Sequence, residues 1–303
     1  MIEQVVTPVT HDLGAFKVRR ALPARERTMV GPFIFVDQFG PAQMVPGEGM
    51  DVRPHPHINL ATVTYLFDGA IQHKDSLGND QRIEPGAINL MTAGKGIVHS
   101  ERSPADMRRQ GPSFYGMQTW LALPDGKEEI DPAFEHVPTD GLPMVEGEGV
   151  SARVLMGSLW GPTAETTCHS PTIYADIVLD SGASVAIDAE ADERAVMVTE
   201  GNAALDGERL EPFSLYVIAP GHRSLLKASS PTRAMLLGGG AFATPRFVHW
   251  NFVSSRRERI TEAKQDWIDR RFPLVPGDEE EFIPYPPVVK TVSYPCPTCA
   301  RSR

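Results

Sequence analysis

Residues 55–69 read HPHINLATVTYLFDG: two histidines separated by one proline, then a β-branched and apolar run closed by Asp68-Gly69. The run has the composition of a buried strand, and the Asp-Gly pair is a turn signal. Pro54 and Pro56 hold the approach in extended geometry. In a strand, residues two apart share a face with Cα atoms about 6.5 Å apart, so the rings of His55 and His57 can converge on one ion.

The same texture extends outward. From Val30 to Gly240 the chain is a series of short apolar runs broken by Gly, Pro, Asn and Asp: FIFVDQFGP, GAINLMTAGKG, FYGMQTWLALPDG, IYADIVLDSG, RAVMVTEGN, SLYVIAPG and RAMLLGGG. Short, evenly spaced strands with turn signals predict an all-β sandwich or barrel. The 26 glycines and 27 prolines supply the turns. Two stretches share one order of turns and strands, DGAIQHKDSLGNDQRIEPGAINLMTAGKGIVH (68–99) and EGNAALDGERLEPFSLYVIAPGHRS (200–224), which reads as an internal repeat of one β unit. The polar, proline-rich stretch between Leu123 and Gly147 separates the copies. The expected division is therefore 1–135 for an N-terminal barrel and 136–303 for a C-terminal one. One helix is expected near the end, where Ser254 or Ser255 can cap RRERITEAKQDWIDRRF, with Ile260, Ala263, Trp267 and Ile268 at helical spacing before Pro273. An acidic, proline-rich strap or tail follows it.

A second same-face pair comes from MTAGKGIVHSE (91–101), where His99 and Glu101 stand two residues apart after a glycine turn. Three imidazoles and one carboxylate then arise from two antiparallel strands of the first barrel. Nitrogen and oxygen donors without thiolates suit Fe(II), Mn, Ni, Cu or Zn. In the second barrel, Asp188 and Glu190 fall near the place of the histidine pair, and His222 is alone, so that copy is expected to be metal-free.

Composition narrows the function classes. The 303 residues carry 29 basic and 39 acidic side chains, a net charge of −10, which disfavours binding to a phosphate backbone by charge. The pairs Arg108-Arg109 and Arg256-Arg257 read as solvated faces. No apolar stretch approaches membrane-spanning length and the start lacks a signal-peptide pattern, so a cytoplasmic location is expected, with the chain a monomer. Cysteines 168, 296 and 299 are too few for a disulfide framework. Cys296 and Cys299 form a lone CxxC in what reads as a silent tail.

Gly49, five residues and then His55-Pro-His57 match the first cupin motif, and Gly96-Ile-Val-His99 the end of the second. With VGPFIFVDQFGP (30–41), DSLGN (75–79) and MQTWLALP (117–124) in order, the chain closely resembles the pirin family of bicupins. The resemblance implies two jelly-roll barrels with a C-terminal helix and tail. It also implies one Fe(II) per chain, held by His55, His57, His99 and Glu101, with the C-terminal barrel metal-free. Pirins commonly read HPHRGFETVTYL. Here Ile58 and Asn59 replace Arg and Gly, and Ala61 replaces Glu, which should leave the metal in place while changing the pocket's charge.

Some bacterial pirins resemble quercetin 2,3-dioxygenases, which open a flavonol ring with O₂ and release carbon monoxide. A small aromatic substrate and O₂ are then the partners, and Glu101 is the expected base for the flavonol 3-hydroxyl. Phe33, Phe35, Phe39, Met44 and Trp120 are candidates for an apolar slot, with Gln118 as a polar anchor. The alternative class is an iron-dependent, redox-sensitive interaction module or transcriptional co-regulator that acts through protein partners.

Overall fold

The computed structural model describes residues 1–12, 16–288 and the backbone of 292–293, so Cys296 and Cys299 lie outside the described residues. Strands dominate, and two compact units take up the chain in alternation. The histidine unit comprises Asp12–Val18, Phe39–His136 and the chain from Phe242 onward; the companion unit comprises Met1–His11, Arg19–Gln38 and Val137–Ala241. The chain passes from one to the other between His136 and Val137, beside the boundary expected after residue 135. The ends are exchanged relative to a single cut. Ile2–Val6 pairs with Leu215–Ile218 and forms the edge of the companion sheet, and the C-terminal helix packs in the histidine unit.

Two facing antiparallel sheets make the histidine unit. One has the strand order Asp51–His57, Ile97–Arg102, Ile71–Asp75, Asp80–Ile83. The other runs Ala133–Val137, Ile88–Thr92, Leu60–Gly69, Ser113–Ala122 and then Phe33–Gln43, whose residues from Phe39 on belong to this unit. Phe39, Met44, Leu66, Ile71, Ile83 and Phe114 form one apolar cluster of this unit, with both sheets contributing. Burial of such side chains, about 25 cal/mol per Å² of apolar surface, holds the sheets face to face.

The companion unit repeats the pairing scheme. Its smaller sheet has the order Ser184–Ile187, Ser224–Ala228, Ala203–Leu205, Glu208–Arg209. The repeat legible at 68–99 and 200–224 is thus one strand order used twice.

The helix spans Arg257–Ile268 and buries Ile260, Ala263 and Trp267 against Ile58, Val98, Phe252 and Val275. Arg256, rather than Ser254 or Ser255, occupies the N-cap position. The Ser255 hydroxyl is spent on Glu128 Oε2 at 2.5 Å, while Ser254 Oγ accepts from the Arg256 N–H at 3.1 Å. Ile268, expected on the apolar stripe, is 48% exposed, because the buried face is completed by Trp267 one residue earlier. No helix among the described residues is long and apolar enough to cross a membrane.

Candidate metal centre

His55 and His57 end one strand of the smaller sheet, and His99 lies on its neighbour directly opposite His55. The turn before His99 requires glycine. Gly94 has φ +49°, a Cβ there would overlap the Ile130 carbonyl, and its own carbonyl accepts from the Asn59 N–H at 2.8 Å. The two strands are thereby locked in register, and His55, His57 and His99 each offer a ring nitrogen within 4.8 Å of the others. All three are buried.

Backbone carbonyls fix the rings. His55 Nδ1 donates to the Arg53 carbonyl at 2.9 Å and His57 Nδ1 to the Asn251 carbonyl at 3.1 Å, which leaves each Nε2 as a bare lone pair. His99 Nε2 is buried with no hydrogen-bond partner. A buried polar atom without a partner costs about 1–3 kcal/mol, a cost that coordination to a cation removes. The donor set fits a divalent metal.

Burial holds these imidazoles neutral, the form a metal needs. It brings His55 down to about 4 and His57 and His99 well below the ordinary imidazole value, with the neighbouring histidines adding to the effect. Between the unfolded value of about 6.5 and the native value, the unfolded chain binds more protons than the folded one. Stability of metal-free protein should therefore fall as pH drops through this window, down to about 4 for His55. Glu101 and Asp37, raised by burial, work in the opposite sense, while His136 and His249, lowered by burial, add to the slope of the three. Denaturant unfolding of chelator-treated protein across this range measures the slope; a flat profile would show that the imidazoles are not buried as neutral groups.

Glu101 is buried but is not a member of the close set formed by the three rings. The register shifts between His99, opposite His55, and Glu101, opposite Val52. The extra residue lies on the His55 strand; the His99 strand pairs regularly with Ile71–Asp75, His99 opposite Asp75 and Glu101 opposite His73, so the two side chains keep one face. Glu101 Oε1 lies 3.4 Å from Thr64 Oγ1, whose proton goes to Gln118 Oε1 at 2.7 Å. Burial pushes the Glu101 carboxyl up.

Of the expected pocket residues, Trp120 stands edge-on to His57 with centroids 5.0 Å apart, and Gln118 is tied to Thr64. Met44 and Phe39 belong to the apolar cluster with Leu66, Ile71, Ile83 and Phe114. Phe33 packs against Tyr174 at 5.3 Å and Phe35 lies under the Arg20 guanidinium at 4.3 Å, both in the companion unit. They read as candidates because they precede the histidines in sequence, but the strand divides between the units at Gln38.

The substituted motif positions also find a place. Thr64 faces Glu101, so by alternation Ala61 points to the opposite face of its sheet, away from the rings. Asn59 has φ +59°, a conformation that Asn tolerates better than most residues in place of Gly. Its buried amide has no hydrogen-bond partner on either atom. Ile58 packs in the cluster under the helix.

Sequence reading missed His73, which is buried beside His99 and stacked on Phe134 at 4.5 Å. The signal was the alternation of Ile71, His73 and Asp75, buried on a short strand whose intervening residues are half-exposed.

In the companion unit, strand pairing locates the equivalent positions. His57 lies opposite Ile97 and His55 opposite His99; Ile187 lies opposite Ser224 and Val185 opposite Leu226. The places of His55, His57, His99 and Glu101 thus hold Val185, Ile187, Leu226 and Ala228, part of an aliphatic core without donor atoms. Asp188 and Glu190, expected at the place of the histidine pair, lie beyond the strand. Asp188 pairs with Arg223 at 2.7 Å and Glu190 is exposed.

Comparison with known proteins agrees with this architecture. Residues 15–121 match the Pirin family and residues 174–273 the Pirin C-terminal cupin domain. A pirin-like protein of Caulobacter vibrioides is 45% identical, with 94% of this chain and 100% of the relative covered. Two crystal structures, each of a quercetin 2,3-dioxygenase from Acinetobacter baumannii, superpose closely. One has a TM-score of 0.87 at 33% identity, covering 94% of this chain and 95% of that one; the other has 0.83 at 26%, covering 89% and 97%. With two matching domains, a relative matched over its whole length and the histidine trio in the first cupin, the chain belongs to the pirin family of bicupins.

Proposed function

We propose that this protein is an Fe(II)-dependent dioxygenase that opens the ring of a flavonol such as quercetin with O₂ and releases carbon monoxide. The observation that carries the reading is the convergence of three neutral imidazoles, each with a bare or partnerless Nε2, in a buried interior that also holds a carboxyl with raised basicity. Two structural neighbours named as quercetin 2,3-dioxygenases support the substrate class.

His55, His57 and His99 would hold one metal per chain. Bound there, Fe(II) supplies positive charge that favours the ionised 3-hydroxyl of the flavonol and the redox capacity to engage O₂. Glu101 completes the polar face of the site and takes the 3-hydroxyl proton on its carboxylate. A carboxyl raised by burial is a stronger base than an exposed one, which narrows the gap to a phenolic hydroxyl. Trp120 provides an apolar wall beside His57. Gln118, its oxygen occupied by the Thr64 hydroxyl, presents its amide N–H groups to substrate oxygens. Burial of this polar set keeps bulk water from competing for the ionised substrate.

Iron-loaded protein incubated in air with quercetin should remove the flavonol absorbance and release one carbon monoxide per flavonol. An unchanged spectrum, aerobically and anaerobically, would reject the proposal and favour the interaction-module alternative.

A further inference from the structure

Behind His99, away from its partnerless Nε2, a chain of hydrogen bonds runs to a carboxylate. His99 Nδ1 meets His73 Nδ1 at 3.5 Å, and His73 Nε2 meets Asp75 Oδ2 at 3.2 Å. Asp75 is fully buried and also accepts from the Leu77 N–H at 2.9 Å, the Asn79 N–H at 3.2 Å and the Asn79 side-chain amide at 2.8 Å. We propose that His73 and Asp75 are positioning residues that hold His99 as its Nδ1–H tautomer and so keep the Nε2 lone pair directed into the metal site.

The polarity of the chain follows from the donor inventory. A carboxylate surrounded by N–H groups only accepts, so the proton between Asp75 and His73 sits on His73 Nε2. In its form with a single N–H, on Nε2, His73 offers Nδ1 as an acceptor, the role it must play once His99 Nε2 is given to a metal. The contact between the two rings then requires the hydrogen on His99 Nδ1, and His99 Nε2 is left bare. His55 and His57 obtain the same result from backbone carbonyls. For His99 Nδ1 a second histidine, His73, stands where the other two rings meet a carbonyl.

The companion unit shows that the fold does not need this arrangement. Asp75 lies opposite His99 and His73 opposite Glu101; at the equivalent register Leu205 lies opposite Leu226 and Ala203 opposite Ala228. Where the ligands are aliphatic, the supporting pair is aliphatic too. A purely structural His-Asp pair would have no reason to change together with the ligand positions.

The inference rests on the three-histidine metal reading, and its test separates the two. His73→Phe keeps a ring to stack on Phe134 but removes both nitrogens; His73→Gln keeps an amide that both accepts and donates. In metal-free, ¹⁵N-labelled protein, long-range ¹H–¹⁵N correlation should show wild-type His99 protonated at Nδ1, with the other tautomer populated in His73→Phe. Competition titration with cobalt(II) should give an affinity about 10- to 100-fold weaker for His73→Phe, with most of the loss recovered in His73→Gln. Wild-type His99 protonated at Nε2, or a cobalt affinity unmoved in His73→Phe, would overturn the proposal. Failure of wild-type protein to take up cobalt would sink the metal reading, and the His99 tautomer would still decide the relay.

Discussion

Replacing His99 with alanine is expected to weaken metal binding by on the order of 10²- to 10³-fold. Structural four-ligand sites hold zinc with about 10–16 kcal/mol, or about 2.5–4 kcal/mol per ligand, and each 1.4 kcal/mol is tenfold. His99 stands opposite His55 in the pairing that brings the three rings together, so its loss also removes the geometry that makes the remaining pair useful. The fold should survive, since the ring gives up one long hydrogen bond, Nδ1 to His73 at 3.5 Å, while Nε2 has none to lose and the aliphatic companion core is untouched. After dialysis against dilute chelator, the wild type should retain about one metal per chain and the variant almost none, with matching circular dichroism. Flavonol turnover should vanish with the metal. Full metal content in His99→Ala would show that the ion binds elsewhere.

The second large effect separates binding from chemistry. Glu101→Gln preserves size and hydrogen-bonding shape but cannot take a proton, so turnover should fall by about 10²- to 10⁴-fold, the range for loss of a general base. Metal content should change far less than in His99→Ala, because Glu101 stands outside the close set of three rings. Anaerobic addition of quercetin to the iron-loaded variant should still perturb the spectrum. If Glu101→Gln loses metal as completely as His99→Ala, the carboxylate is an essential ligand; if it keeps full activity, the base lies elsewhere.

Much of this was legible in one dimension. The histidine pair, the glycine turn before His99 and the run of short strands depend on local rules, namely alternation, left-handed turn conformations and β-branched runs, and each has its counterpart in the structure. Features that depend on register were not legible. Alternation puts Glu101 on the face of His99, where the regular pairing with Ile71–Asp75 keeps it, but the distance of its carboxylate from the close set of ring nitrogens is not readable from alternation. Asp188 and Glu190 attracted notice as polar residues near the right place, yet strand pairing assigns that place to Val185 and Ile187. Phe33 and Phe35 sit close in sequence to the site residues and belong to the other unit, because the boundary between units cuts through their strand. His73 was invisible for a related reason. Nothing in AIQHKD announces which ring lies behind it, and only the pairing of its strand with the His99 strand shows it.

The two copies of one strand order differ in what their interiors must tolerate. The histidine unit keeps desolvated lone pairs and a buried carboxyl that no apolar packing can satisfy, whereas the companion unit fills the same positions with Val185, Ile187, Leu226 and Ala228. Duplication has thus let one copy carry unsatisfied donors at positions that the other fills with aliphatic packing. A binding partner for the first copy acts as a folding ligand, adding stability that grows with the logarithm of its concentration, and the second copy has no such dependence. Mutational tolerance should follow the same split: aliphatic exchanges at Val185 or Leu226 meet only packing constraints, while every change at His55, His57 or His99 is read twice, once by the fold and once by the ion.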